Sequence, residues 1–98
     1  MRVISRRTLV DFWKAGYADA EQPLRAWFAE VNASNWKSMV EIKRRYPSAS
    51  VVDGERVIFN IGGNKYRLVV KLWFAGQAVW IKFIGTHKQY DRIDVTKL

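Results

Sequence analysis

The spacing of hydrophobic positions changes once along this chain, near Pro47. Before it, apolar residues recur at intervals of three and four. Leu9, Val10, Phe12, Trp13 and Tyr17 fall near helical spacing, and Leu24, Trp27, Phe28 and Val31 give an i, i+3, i+4, i+7 stripe. The first set predicts a helix with Ser5 as N-cap, because a serine hydroxyl can accept from an unpaired amide of the first turn. Gly16 is placed to end that helix. Pro23 suits the first turn of a second helix, where its missing N–H costs nothing. Trp36, Met39, Val40 and Lys43 begin a third, short helix that Pro47 must stop. Val3-Ile4, ahead of all three, predicts a short first strand.

Beyond Pro47 the period is two. Val51-Val52, an Asp53-Gly54 turn and Arg56 to Ile61 predict a hairpin. Gly62-Gly63-Asn64 turns the chain into a long strand over 65–74, and Ala75-Gly76-Gln77 turns it again into a strand over 79–84. Alternate side chains on a strand point to opposite faces. Tyr66, Leu68, Val70, Leu72 and Phe74 therefore share one apolar face, with Val79, Ile81 and Phe83 beside them. Lys65, Arg67, Val69, Lys71 and Trp73 share the other, with Trp80, Lys82 and Ile84. One strand, then helices, then clustered strands imply an α+β fold, with the helices packed on the apolar face of a mostly antiparallel sheet. The cationic face should stay at least partly open.

Composition narrows the chemistry. A chain of 98 residues fits one domain, 1–98, and nearly half its residues are hydrophobic, so it can fold on a single core. The excess of 17 basic over 9 acidic side chains gives a net charge of +8, which favours a polyanionic partner such as nucleic acid, an acidic protein or an anionic membrane. There is no cysteine and one histidine. Disulfides, thiolate sites, a cysteine nucleophile and multi-histidine metal sites are excluded. The start of the chain lacks the apolar run of a signal peptide, and no stretch is apolar enough to span a bilayer, so the expectation is a cytoplasmic protein without a membrane partner.

Arg67, Lys71 and Lys82 alternate onto one sheet face, where a phosphate backbone could settle among them with Trp73 and Trp80 as stacking platforms. A solvated face, with the tryptophans packed in the core or an interface, is the plainer alternative. His87 follows in Thr86-His87-Lys88-Gln89-Tyr90-Asp91. If Thr86 caps a helical turn, His87, Tyr90 and Asp91 fall on one side of it. Asp91 could then orient the imidazole or pair with Lys88. A histidine beside cations suits proton transfer near neutral pH, although it could equally serve only to fix the strand-to-turn junction. RNA cleavage by its own 2′-hydroxyl fits these residues without any cofactor. Arg67, with Lys71 or Lys82, would stabilise the phosphorane. His87, and Tyr90 or a lysine, would move the protons. Lys43-Arg44-Arg45 reads as a helix end favoured by the dipole, or as a contact for a large RNA.

Three segments, Phe59-Asn60-Ile61-Gly62-Gly63-Asn64, Tyr66-Arg67-Leu68-Val69-Val70 and Thr86-His87-Lys88-Gln89-Tyr90-Asp91, together resemble the HigB-type toxins of the RelE superfamily. The resemblance implies a compact RelE-like domain and ribosome-dependent cleavage of messenger RNA. It also implies a HigA-type antitoxin with a helix-turn-helix domain, through which operator DNA is bound indirectly. By motif position it points to Arg67, His87 and Tyr90 as catalytic candidates, and to Asn60, Lys88 and Asp91 as further motif members. Asn60, Lys71, Lys82 and Lys88 are the candidate RNA-binding residues, Lys71 and Lys82 from strand alternation alone. A non-catalytic nucleic-acid-binding module and a protein-interaction domain are the rival readings.

Overall fold

A computed structural model describes residues 1–98. Strand β1 (Arg2–Ile4) leads into helix α1 (Arg6–Lys14), a 3-10 turn (Ala18–Ala20), helix α2 (Glu21–Asn32) and helix α3 (Met39–Arg45). Strands β2 (Ser50–Val51), β3 (Arg56–Ile61), β4 (Tyr66–Trp73) and β5 (Ala78–Thr86) follow, then helix α4 (His87–Tyr90) and a last 3-10 turn (Val95–Lys97). The strands form one sheet in the order β1-β5-β4-β3-β2. Every neighbouring pair is antiparallel except β1 with β5. The expected α+β architecture is present.

The helical stripes face the sheet. Leu9 and Trp13 of α1 and Leu24, Trp27 and Val31 of α2 are buried against Val57, Phe59, Ile61, Leu68, Val70, Leu72, Val79 and Ile81. Each fully buried aliphatic or aromatic side chain stabilises the fold by about 1.5–3 kcal/mol relative to exposure. In α3 the buried residue is Ile42, while Val40 is exposed, so the predicted stripe was offset. Trp36 is in the core but precedes the helix. Gly16 adopts φ 116°, a conformation open to glycine, and α1 ends just before it. Ser5 occupies the N-cap position with φ 71°, and its hydroxyl makes no capping bond. A single residue joins β1 to α1, so Ser5 makes the sharp turn itself, and its carbonyl accepts from Thr8 N at 2.9 Å.

The second face of the sheet carries the sharpest departure from strict alternation. Phe83 pairs with Val69 and Ile81 with Val70, so Lys82 is an extra residue in β5. This β-bulge reverses the faces beyond it. Ile84, expected opposite the core, pairs with Leu68 and is buried in the core; Phe83, expected inside, lies on the face of Arg67. That face is also divided. Ile58 and Val69 lie on it and are buried, 7% and 0% exposed. The segment after β5 returns over this side of the sheet: α4 packs on β4 and β5, and Arg56 Nε donates to Leu98 O at 3.1 Å.

Candidate nucleic-acid site

Across the second face run three rows of paired residues. Asn60, Arg67 and Gly85 form the first; Ile58, Val69 and Phe83 the second; Arg56, Lys71 and Trp80 the third. Helix α4 folds back at the first row because of Gly85. A Cβ there would lie 2.6 Å from Phe83 Cζ and 2.7 Å from Gln89 Oε1. Thr86 starts α4 with a capping box: Gln89 N donates to Thr86 Oγ1 at 3.2 Å, and Thr86 N donates to Gln89 Oε1 at 2.9 Å. The cap that the sequence allowed is therefore made. It places His87 and Tyr90 one turn apart, and Tyr90 reaches back over β4. The Arg67 guanidinium stacks on the Tyr90 ring, Cζ to centroid 4.7 Å. The Phe83 ring stands 6.4 Å from that of Tyr90.

Two polar atoms here are buried with no hydrogen-bond partner: Arg67 Nε and His87 Nε2. Burying a donor unpaired normally costs about 1–3 kcal/mol, so native folds keep few of them. Asp91 does not supply the missing partner. Its backbone N–H donates to His87 O at 2.9 Å, but its carboxylate forms no hydrogen bond or ion pair with His87 or Lys88. Asn60, opposite Arg67, donates from Nδ2 to Ser48 O at 3.1 Å. It borders an open, polar hollow of about 470 Å³ lined by Ser48, Asn60, Gly63 and Asn64.

Of the three cations expected to cluster, Arg67 and Lys71 are separated. Lys71 is four residues from Arg67, roughly 13 Å along a strand. It sits across from Arg56 and Trp80, with its Nζ 3.4 Å from Glu55 Oε2. Lys82 is the exposed bulge residue, and Lys88 is exposed on α4. The positive charge is thus spread along the face, with only Arg67 at the aromatic end. Trp73 is 57% exposed and closely approached by Gly76; Trp80 is half-buried; neither belongs to the core.

A polar and aromatic cluster supports the site from the helical side. Tyr17 stacks on Phe12, centroids 4.3 Å apart, and both meet Tyr66 edge-on. Asp19 accepts from Tyr66 Oη and Lys65 Nζ. Those bonds, Lys65 first and Tyr66 second, hold the Asp19 carboxyl below its ordinary value; the same bonds raise Lys65 and Tyr66. Gln89 Nε2 donates to Tyr17 Oη at 3.2 Å. The sequence carried one usable sign of this cluster, the Thr86-x-x-Gln89 capping-box spacing. Phe83 and Gly85 gave none, because the bulge that sets their direction has no local signature.

Other cations have structural duties. Lys43 Nζ donates to Pro47 O and Ala49 O, both at 2.7 Å, while Arg45 pairs with Glu30 and stacks on Tyr46. Burial, with Glu30 next, pushes the Tyr46 phenol up to about 12. The Lys43-Arg44-Arg45 run is thus largely tied into the α3 terminus. The largest groove, about 570 Å³, lies on the helical side between Arg6, Trp13, Lys14 and Arg25, away from Arg67. No helix is long and apolar enough to cross a membrane.

Comparison with known proteins gives this site a context. The mRNA interferase toxin HigB of Escherichia coli K12 is 28% identical over 93 residues, covering 93% of this chain and 88% of that protein. The mRNA interferases HigB of E. coli O157:H7 and Shigella flexneri match to the same extent. The family described as HigB_toxin, RelE-like toxic component of a toxin-antitoxin system, matches residues 20–93, which include β3, β4, β5 and α4. The chain belongs to the HigB family of RelE-like toxins.

Proposed function

We propose that this protein is a messenger-RNA endoribonuclease that acts in the cytoplasm on translating ribosomes, without a metal, and is held in check by a HigA-type helix-turn-helix antitoxin. The observation that carries the reading is the Arg67 guanidinium fixed on the ring of Tyr90, which belongs to the same four-residue helix as His87. A phosphodiester offers anionic oxygens to the guanidinium and a proton-exchanging oxygen to the imidazole. The relatives named as mRNA interferases and the net charge of +8 support the same substrate class.

In the proposed reaction the substrate's 2′-hydroxyl oxygen bonds to the adjacent phosphorus and the bond from phosphorus to O5′ breaks. The products are a 2′,3′-cyclic phosphate and a 5′-hydroxyl, and no water is consumed. One proton leaves the 2′-oxygen and one is delivered to O5′. His87 carries one of these transfers, with Tyr90 aligning Arg67 or sharing the second. Arg67 stabilises the dianionic phosphorane by donors already in place, the arrangement that lowers a barrier most. Asn60, Lys71, Lys82 and Lys88 hold the RNA along the face, Lys71 most weakly because Glu55 already neutralises it.

The test is induction of the chain alone, with 5′ ends of ribosome-bound mRNA mapped and their chemistry determined. New 5′-hydroxyl ends are expected. Arg67→Ala should lower cleavage about 10²–10³-fold, and His87→Gln about 10²–10⁴-fold, with RNA association retained. Growth arrest without new ends, or 5′-phosphate ends, would overturn the reading.

A further inference from the structure

Helix α4 has four residues, too few to hold a fixed position by its own hydrogen bonds. Yet it presents both His87 and Tyr90. One side chain ties it to the helical side of the molecule. Gln89 Oε1 closes the capping box with Thr86 N, and Gln89 Nε2 donates to Tyr17 Oη. Tyr17 is itself fixed, stacked on Phe12 and edge-on to Tyr66. Two residues on, Asp19 binds Tyr66 and Lys65, the residues just before Arg67. The segment 17–19 between α1 and α2 therefore touches both arms of the site: α4 through Gln89, and the start of β4 through Tyr66.

We propose that Tyr17 and Gln89 are positioning residues for RNA cleavage: their hydrogen bond sets α4 against β4, and so holds His87 and Tyr90 in register with Arg67. Neither reaches the reacting atoms. The inference rests on the endoribonuclease reading for its kinetic arm and on the geometry alone for its structural arm. Tyr17→Phe removes only the hydroxyl and keeps the stack on Phe12. Gln89→Ala removes the bridge and the side-chain half of the capping box, leaving the backbone N–H of residue 89 on Thr86 Oγ1. Gln89→Glu keeps both, since a carboxylate can accept from Thr86 N and from the Tyr17 hydroxyl.

The experiment measures ribosome-programmed mRNA cleavage and amide exchange of residues 87–91 in the full chain. Tyr17→Phe should lower kcat about fivefold, the loss of one neutral hydrogen bond, with KM within about twofold. Exchange at the Gln89 and Asp91 amides should speed up while core amides stay unchanged. Gln89→Ala should lose more, up to about 100-fold. The double variant should match Gln89→Ala alone, because the hydroxyl then has no partner left. Gln89→Glu should recover most of the activity only when Tyr17 is present. Unchanged exchange in Tyr17→Phe, additive losses in the double variant, or faster exchange with unchanged kcat would each overturn the proposal. If the parent cuts no mRNA, the endoribonuclease reading fails instead, and the exchange arm still decides whether the bridge orders α4.

Discussion

Replacing Gly85 with alanine should uncouple the site from the sheet. The position is buried on β5 across from Arg67, and its missing side chain is what lets α4 lie so close. A Cβ would stand 2.6 Å from Phe83 Cζ, 2.7 Å from Gln89 Oε1 and 3.2 Å from Gln89 Cβ. No real methyl tolerates such contacts, so Phe83 or Gln89 must move. Forcing Phe83 off its rotamer costs about 0.5–1.5 kcal/mol. Displacing Gln89 opens the capping box, a loss of the same order. Overpacking of this kind totals about 1–3 kcal/mol, and alanine regains about 0.4–1 kcal/mol through the unfolded chain. The net loss is centred on about 1 kcal/mol, or a fall of about 4–8 °C in Tm at this chain length. Cleavage should fall further, toward 100-fold, because a shift of about 1 Å at Tyr90 takes the ring off Arg67. Circular-dichroism melts and the cleavage assay, run on Gly85→Ala beside Gly54→Ala, separate this from any general effect of adding a methyl. A Cβ at Gly54 meets nothing within 4 Å, so that variant should melt no lower than the parent, and a few degrees higher through the same unfolded-chain term of about 0.4–1 kcal/mol. A Gly85→Ala protein that melts no lower than the parent and cleaves normally would refute the reasoning.

Three further outcomes are expected. Tyr90→Phe should keep the stack on Arg67 and most of the activity if the ring only aligns the guanidinium, whereas Tyr90→Ala should approach the loss seen for Arg67→Ala; single-turnover cleavage compares them. Lys82→Ala and Lys88→Ala should each reduce the salt dependence of single-stranded RNA binding by about 0.7 in slope, and Lys71→Ala by less because of Glu55, measured by titration at several salt concentrations. Asp19→Asn should be less stable than the parent near neutral pH. The Asp19 carboxyl is held below its ordinary value of 3.8, by Lys65 first and Tyr66 second, so its contribution is complete above that value and is lost as pH falls through the lowered one. Denaturation curves of the two proteins should therefore converge in acid.

The parts of the fold that were legible are those where one period governs a long run. The α2 stripe at Leu24, Trp27 and Val31, and the β4 alternation at Leu68, Val70 and Leu72, are buried as their spacing required. The Thr86 cap was legible because its chemistry is local. Other parts were not, and two of them are instructive. Ser5 looked like a hydroxyl cap, but the demand that β1 meet α1 across a single residue put it in a left-handed turn. The cations at 67, 71 and 82 looked like one cluster, but four residues of β4 separate Arg67 from Lys71, and Lys82 is an unpaired bulge residue that breaks the alternation used to place it.

The second failure shows where the site comes from. Had β5 kept its period, Phe83 would have entered the core and Ile84 would have faced Arg67, leaving Tyr90 without its aromatic neighbour. The bulge moves Phe83 out beside Tyr90 and brings Gly85 opposite Arg67, where α4 can settle. Bulges re-aim side chains in this way at the expense of regular pairing. Local rules break most informatively where a fold is used rather than merely held together. Here the break falls at Lys82, three residues before the glycine on which the candidate site is built.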